Sequence, residues 1–476
     1  MKWIVRLVLL VAVLPFSAAL HAQGMAHRVA PALPAIDSLI AAEWARDSIG
    51  SITVGIVAGG DLVWTKSYGF ANKGARKLAE RRTVYRIGSI TKPFTAVMLM
   101  QLEHAGTIHL ADPVEKFFPE IRQVDGLPNG SAPPTILQLA TMTAGLAREP
   151  REEGPFWTGP VSGWEHTLIS ALPHTSYDYS PGTRYQYSNI GYAILGAALG
   201  RAAGMPYTTW ERTRVFEPLK MTRTRFEIDG DIAADLATGY DVGRDGSIDS
   251  LTAAKEAREG RGFKVPNGAI FTTVDDMGRF VAFELGHGPA SVLPPERLDS
   301  AFAGIVAADA DLATGYGLGF MAMRRDGFTF TGHSGGVAGY AAFMYFSRPA
   351  QVGVVLFRNA TGGKVNGNRL TVDILSRLVE SSRQHRQVSM DPGAFDAFVG
   401  RYQLPGGHIM IVRRENDRFL TQVPGQPAFE MLPQGPREFF MKAYEAEVSF
   451  VTDARGRATE MIIREGGENT HAKRIE

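Results

Sequence analysis

Ser89 and Lys92 stand three residues apart in the stretch Tyr85-Arg86-Ile87-Gly88-Ser89-Ile90-Thr91-Lys92-Pro93-Phe94. On a helix that spacing puts both side chains on one face, within reach of each other. A serine hydroxyl attacks a carbonyl only when something takes its proton. A lysine whose ammonium is destabilised by burial or by neighbouring cations can do so. Pro93 supports a helix starting near Ser89, because proline is tolerated in or near a first turn and disfavoured deeper. There, free backbone N–H groups and the positive end of the helix dipole favour developing negative charge. Alone, S-x-x-K also describes a solvated helix start, so the assignment needs partners.

Two follow downstream. A Pro181-Gly182 turn leads to Tyr187-Ser188-Asn189 and then to an apolar helix from Tyr192 to Leu199. An isolated Y-x-N also fits a tyrosine ring in a core beside a turn asparagine. Its place directly before a helix, and after the S-x-x-K helix, favours a functional reading. The third stretch is Gly332-His333-Ser334-Gly335-Gly336. It also satisfies G-x-S-x-G, the nucleophile elbow of α/β-hydrolases, which would make Ser334 the nucleophile and His385 or His408 the later triad member. That elbow requires a helix right after the serine, whereas Ala341–Phe346 and Val352–Phe357 read as strands.

The elements that must position these residues form a simple pattern. Residues 23–34 read as loose and 35–47 as a helix, with Ile36, Leu39, Ile40 and Trp44 at helical spacing. Ile52, Val54 and Ile56 alternate, Gly59-Gly60-Asp61 turns, and Leu62-Val63-Trp64 returns, a hairpin signature. Phe94, Val97, Met98 and Leu102 give the Ser89 helix one apolar face. Residues 135–146 begin as another helix, 148–166 read as a long loop holding Arg148, Glu149 and Trp157, and 274–285 as a helix. Asn267-Gly268-Ala269 reads as a turn. Strands return at 316–320, 328–331, 341–346 and 352–357, and 370–378 is helical. Strand-rich segments thus flank a helical middle, predicting an α+β fold with one antiparallel sheet built from both ends, about 35–80 and 312–380, around a helical part at about 81–311. After a polar linker at 381–391, short β-like runs between turns predict a small all-β domain over 392–476, a sandwich or barrel.

Composition bounds the function. The chain has 476 residues, enough for two or three domains, and a formal net charge of +1, so no nucleic-acid footprint is visible. It has no cysteine, hence no thiol nucleophile, disulfide or thiolate metal site. The eleven histidines are scattered without an H-E-x-x-H pattern, and no metal or cofactor is called for. Residues 1–22 read as a secretory leader: Lys2 and Arg6, an apolar run from Leu7 to Leu20, and small Ala22 before Gln23. The run is short for a spanning helix, so cleavage is favoured over a membrane anchor. Losing Lys2 and Arg6 would take the net charge from +1 to −1.

S-x-x-K, Y-x-N and H-x-G in this order resemble the class C beta-lactamase-related serine hydrolases, which include penicillin-binding D-Ala-D-Ala peptidases, D-aminopeptidases, esterases and beta-lactamases. The resemblance covers roughly residues 35–380 and implies a beta-lactamase/transpeptidase-like domain at 23–388. The tail, from Phe398-Val399-Gly400-Arg401-Tyr402, resembles the lipocalin-like domain of some members. By resemblance, Ser89 forms an acyl-enzyme, Lys92 and Tyr187 share the general-base work, and Tyr187 passes protons to the leaving group and activates water. Asn189 orients Lys92 and the substrate amide, and the backbone N–H groups of Ser89 and Gly336 form the oxyanion hole. Gly335 and Gly336 let substrate approach the strand. His333 occupies a position where dedicated beta-lactamases usually carry lysine. That shifts the expectation toward a peptidase, amidase or esterase, because a neutral histidine cannot meet a drug's carboxylate as lysine does. Met142 stands where many relatives have histidine, with no expected loss of catalysis. The implied partner is a small-molecule or peptide substrate. A beta-lactamase fold that traps a ligand without turnover fits the same residues.

Overall fold

The computed structural model describes residues 25–152, 154–298, 306–308, 314–325, 328–383, 387–441, 446–465 and 468–476. The expected leader at 1–22 and His385 lie outside them. The chain divides into two compact units, Ala32–Val379 and a second unit in which residues 25–31 join Glu380–Glu476.

The larger unit is organised on a nine-stranded sheet. Its strands are β1 (Ser51–Ala58), β2 (Asp61–Asn72), β3 (Lys77–Leu78), β4 (Val306–Ala307), β5 (Thr314–Tyr316), β6 (Met321–Arg325), β7 (Phe328–Val337), β8 (Tyr340–Ser347) and β9 (Val352–Arg358). They lie in the order β3-β2-β1-β9-β8-β7-β6-β5-β4, and the named pairs are antiparallel. Both ends of the unit therefore meet at the β1–β9 pair, as the two strand-rich segments predict. Every residue of β1 and β9 is buried, because helices cover both faces of the sheet. On one face lies α4 (Val274–Ala282). It comes close because Gly55 and Gly353 lack side chains where Val274 and Val281 sit. On the other face lies α5 (Gly367–Arg383), whose Gly367 meets the Phe343 ring. Phe343 pairs with Leu356 while Met344 pairs with Val355, so the two helices contact residues of opposite parity. Helix α1 (Leu33–Trp44) starts two residues before the sequence predicts, and residues 25–29, expected to be loose, are helical.

The helical middle is built around α2 (Thr91–His104) and α3 (Asn189–Ala203). Sequence periodicity gives α2 one apolar face, yet Thr91 through Met100 are all buried. The stack of Phe94 on Phe280 (ring centroids 3.9 Å apart) and its edge contact with Phe216 show why: α2 has neighbours on several sides. The expected helix at 135–146 is shorter, Ile136–Ala140, with Thr135 and Gln138 forming a capping box. Met142 at φ 60° and Gly145 at φ 76° then turn the chain out of helical geometry.

The second unit carries the expected β domain. Its strands are β10 (Gly400–Gln403), β11 (Ile409–Glu415), β12 (Arg418–Gln422), β13 (Phe429–Glu430), β14 (Leu432–Gly435), β15 (Glu438–Met441), β16 (Ala446–Thr452), β17 (Ala458–Glu465) and β18 (Glu468–Arg474). The order β13-β12-β11-β10-β18-β17-β16-β15-β14 brings β10 against β18 and gives a nearly closed, barrel-like antiparallel sheet. Phe398, Phe419, Phe439 and Phe450 pack ring against ring inside it, Phe398 stacked on Phe450 and Phe439 edge-on to Phe450.

Candidate active site

Between Thr83 and Met100, Ser89 is the one residue that is not buried. It sits on a single 3-10 turn, Gly88–Ile90, that runs directly into α2. The turn is held by the Thr91 hydroxyl, which donates to the Gly88 carbonyl at 2.8 Å. One turn of helix then carries Lys92 back toward Ser89, with Nζ 3.2 Å from Ser89 Oγ.

Lys92 is completely buried. Desolvation, the largest influence, holds its ammonium well below the ordinary lysine range, opposed by Glu149 and reinforced by Arg148, Arg261 and Lys264. Its other two neighbours are acceptors: Asn189 Oδ1 at 2.7 Å and the Asn267 carbonyl at 3.3 Å. A neutral amine has two N–H groups and one lone pair. Two acceptors consume the two N–H groups, which leaves the lone pair for the Ser89 hydroxyl. That is the arrangement a general base requires.

Tyr187 enters from the segment before α3. Its ring centroid lies 4.7 Å from Lys92 Nζ and also 4.7 Å from the Arg148 guanidinium carbon. Burial raises the phenol above its ordinary value, while a hydrogen bond with the Ser89 side chain and the Arg148 charge pull it down. Tyr187 is therefore protonated at neutral pH and suited to hand on a proton rather than to start by taking one. Met142 grips both neighbours of Tyr187: its carbonyl accepts from Gln186 N at 2.7 Å, and its sulfur accepts from Ser188 N at 3.2 Å. This is a role for Met142 that its residue type does not announce. The Ser188 hydroxyl caps α3 through Gly191 N at 3.0 Å, which places Asn189 in the first helical turn.

Asn189 is more committed than the sequence suggests. Its Nδ2 donates to Glu149 Oε1 at 2.6 Å, so one amide hydrogen is engaged before any substrate arrives. Asn267 Nδ2 in turn donates to the Asn189 carbonyl at 2.9 Å.

His333 on β7 is 1% exposed. Its Nδ1–H donates to the Ser334 carbonyl at 2.5 Å, which leaves Nε2 to accept from the Tyr316 hydroxyl at 3.1 Å. Burial, and next the Lys92 charge, lower its pKa to about 3. It is a neutral histidine with both nitrogens occupied. Between pH 6.5 and about 3 the unfolded chain binds a proton here that the folded chain does not. Stability therefore falls as pH falls through that window, by up to about 1.4 kcal/mol per pH unit. In urea unfolding at pH 7 and pH 5, wild type is expected to lose more stability between the two than His333→Asn does. Equal losses would show that His333 titrates normally.

Gly335 and Gly336 divide their work. A side chain at Gly336 would have nothing within 4 Å, so this residue opens outward. The missing side chain of Gly335 opens the other way: a Cβ there would lie 1.9 Å from the Ile87 carbonyl oxygen and 3.0 Å from Ser89 N. Gly335 was expected to admit substrate, but what it admits is the nucleophile turn. On that turn Gly88, at φ 50°, lies against Gly336. Strand and turn thus bring the Ser89 and Gly336 backbone segments together. Ser334 lies mid-strand, paired with Phe343, and β7 leads by a two-residue turn into β8 rather than into a helix. The α/β-hydrolase alternative is thereby overturned.

The sequence therefore singles out Ser89, Lys92, Tyr187, Asn189 and His333, and the structure gathers them. It does not single out Asn267, Tyr316 or the role of Glu149. Asn267 had a faint signal in Asn267-Gly268, which reads as a turn and nothing more.

A family model described as Beta-lactamase matches residues 36–377. A second, described as a domain of unknown function (DUF3471), matches residues 384–474. Penicillin-binding protein 4* of Bacillus subtilis (strain 168) is 24% identical over 89% of this chain and 94% of its own length. Among solved structures, the octameric penicillin-binding protein homologue from Pyrococcus abyssi covers 93% of this chain and 100% of that one, with a TM-score of 0.62 and 21% identity. The D-stereospecific amidohydrolase from a Streptomyces species covers 71% and 98%, with a TM-score of 0.56 and 23% identity. The match runs from the first helix before the sheet to the helix that follows its last central strand, so that everything holding Ser89 and Lys92 lies inside it: this chain belongs to the beta-lactamase family.

Proposed function

We propose that the protein is an exported serine hydrolase that opens amide or ester bonds through an acyl-enzyme on Ser89. The observation that carries the reading is the position of the buried Lys92 amine, 3.2 Å from Ser89 Oγ with acceptors of Asn189 and Asn267 as its other hydrogen-bond partners. The Lys92 amine takes the Ser89 proton as Oγ bonds to the substrate carbonyl carbon. The carbonyl oxygen becomes an oxyanion beside the Ser89 and Gly336 backbone N–H groups, where fixed donors lower the barrier most. As the tetrahedral species collapses, Tyr187 gives its proton to the leaving nitrogen or oxygen and recovers one from Lys92. Water then adds to the acyl carbon, its proton passing back through the same pair, and Ser89 is released.

The substrates that fit best are small esters or amides, including peptides with D-residues. His333 offers no positive charge to a beta-lactam carboxylate, which argues against a dedicated beta-lactamase. The name of the Streptomyces amidohydrolase lends support to D-configured amides. Export rests on the basic-then-apolar leader at 1–22, and the barrel-like unit is read as lipocalin-like. Among the described residues no helix is long and apolar enough to cross a membrane.

The test is intact mass after mixing with a fluorophosphonate and, separately, with penicillin. One fluorophosphonate adduct is expected, absent in Ser89→Ala and retained in Ser334→Ala. An adduct that survives in Ser89→Ala removes the mechanism. A penicillin adduct that persists for hours would instead favour a penicillin-binding sensor with slow deacylation.

A further inference from the structure

An asparagine amide can face a lysine with either end. With Oδ1 toward Lys92 it takes an N–H; with Nδ2 toward Lys92 it would take the lone pair, and Ser89 would lose its base. Glu149 decides between the two. A carboxylate only accepts, and Glu149 Oε1 accepts from Asn189 Nδ2 at 2.6 Å, which turns Oδ1 to Lys92 at 2.7 Å. Glu149 is itself held. Lys264 Nζ lies 3.4 Å from the same oxygen, and Lys264 is buried with its ammonium 3.8 Å from the centre of the Trp157 ring. The second oxygen of Glu149, Oε2, is buried and has no hydrogen bond among the described residues. A carboxylate that leaves an oxygen unsatisfied is not placed there by its own solvation.

We infer that Glu149 is a positioning residue for the proton transfer from Ser89: by fixing the Asn189 amide, it keeps the Lys92 lone pair aimed at the Ser89 hydroxyl. The inference rests on the assignment of Ser89 and Lys92 made above. Glu149 also acts through its charge. Around Lys92 it is the anion opposing Arg148, Arg261 and Lys264, while Tyr187, Tyr192 and His333 are the other titratable groups that face or couple to the amine. Removing the negative charge makes Lys92 easier to deprotonate, even as the amine becomes misdirected. A residue that merely packs would do neither.

The experiment is the pH dependence of kcat/KM for p-nitrophenyl butyrate, with melting temperature measured alongside. Glu149→Gln keeps the shape but offers an N–H2 group as well as an oxygen. General-base help is worth about 10²–10⁴-fold, and an amide flipped about nine-tenths of the time is expected to forfeit about tenfold of it at the plateau. The rising limb is expected to move down by about half a pH unit or more, because a nearby anion has been removed. Glu149→Asp keeps the charge on a shorter arm, so its plateau falls while its limb stays. In an Asn189→Ala background, Glu149→Gln should lower the plateau less than about twofold, since the amide it acts through is gone. An equal loss in both backgrounds overturns the inference, and so does a plateau that falls in Glu149→Gln with the limb unmoved. Fluorophosphonate labelling separates the two levels. If Ser89 does not label in wild type, the mechanism fails and the inference goes with it. If Ser89 labels but Glu149→Gln matches wild type at every pH, only the inference fails.

Discussion

Ser89→Ala and Lys92→Met are each expected to lower kcat/KM on p-nitrophenyl butyrate by about 10³-fold or more, and the double variant by no more than the worse single. General-base catalysis supplies about 10²–10⁴-fold in such steps, and the base is useless without the group it deprotonates. The geometry says the two act as one device. Lys92 is fully buried, with acceptors of Asn189 and Asn267 at 2.7 and 3.3 Å and Ser89 Oγ at 3.2 Å, so that a neutral amine there has its lone pair to offer to Ser89. Methionine fills similar space without a lone pair that can take a proton. Losses that simply multiply in the double variant would mean that Lys92 acts elsewhere than on Ser89. A pH profile of wild type adds a sign. Lys92 must be neutral to work, and burial lowers its pKa. Activity should therefore rise with pH and already level off well below the ordinary lysine range, near 10.4. A limb near that ordinary value would show a solvated lysine.

How this site could be read from sequence differs residue by residue. Ser89 and Lys92 were legible because helix geometry alone makes neighbours of residues three apart. Tyr187 and Asn189 were legible as a motif, whereas the Ser188 cap, which starts α3 at Asn189 and not at Tyr192, shows only in the structure. Glu149 was not. It reaches Asn189 from a loop forty residues earlier in the chain, and only the fold brings that loop across. The centre of the nine-stranded sheet was legible because alternation in β1 and continuous apolar runs in β8 and β9 survive without any tertiary knowledge, whereas the strand expected at 316–320 falls largely on the turn between β5 and β6. Burial of α2 on all sides was not, because periodicity registers the strongest apolar stripe and not the number of partners. The break after Ala140 was hidden as well: the residue at φ 60° is Met142, and a methionine gives no warning of a left-handed backbone. The direction of Gly335 was illegible for a related reason. A one-residue change in strand parity exchanges cleft for core, and the motif alone does not fix the parity.

That parity carries the second large prediction. Gly335→Ala is expected to lower kcat/KM by about 10²–10³-fold, the usual cost of losing one oxyanion-hole donor. It should also destabilise the fold by about 1–3 kcal/mol through overpacking. The added Cβ would lie 1.9 Å from the Ile87 carbonyl oxygen and 3.0 Å from Ser89 N, and backbone atoms cannot rotate away as a side chain can. Strand β7 must therefore move off the nucleophile turn, and the Gly336 backbone moves with it. Gly336→Ala, one residue along, is the control for folding. Its Cβ would meet nothing within 4 Å, so its melting temperature should match wild type. If Gly335→Ala lost stability but kept its activity, the strand would be giving way without disturbing the oxyanion site, and Gly336 could not be one of its donors. If both substitutions lowered activity but only Gly335→Ala lowered the melting temperature, the two glycines would be separated as their geometry separates them, one holding the strand to the turn and the other facing the substrate.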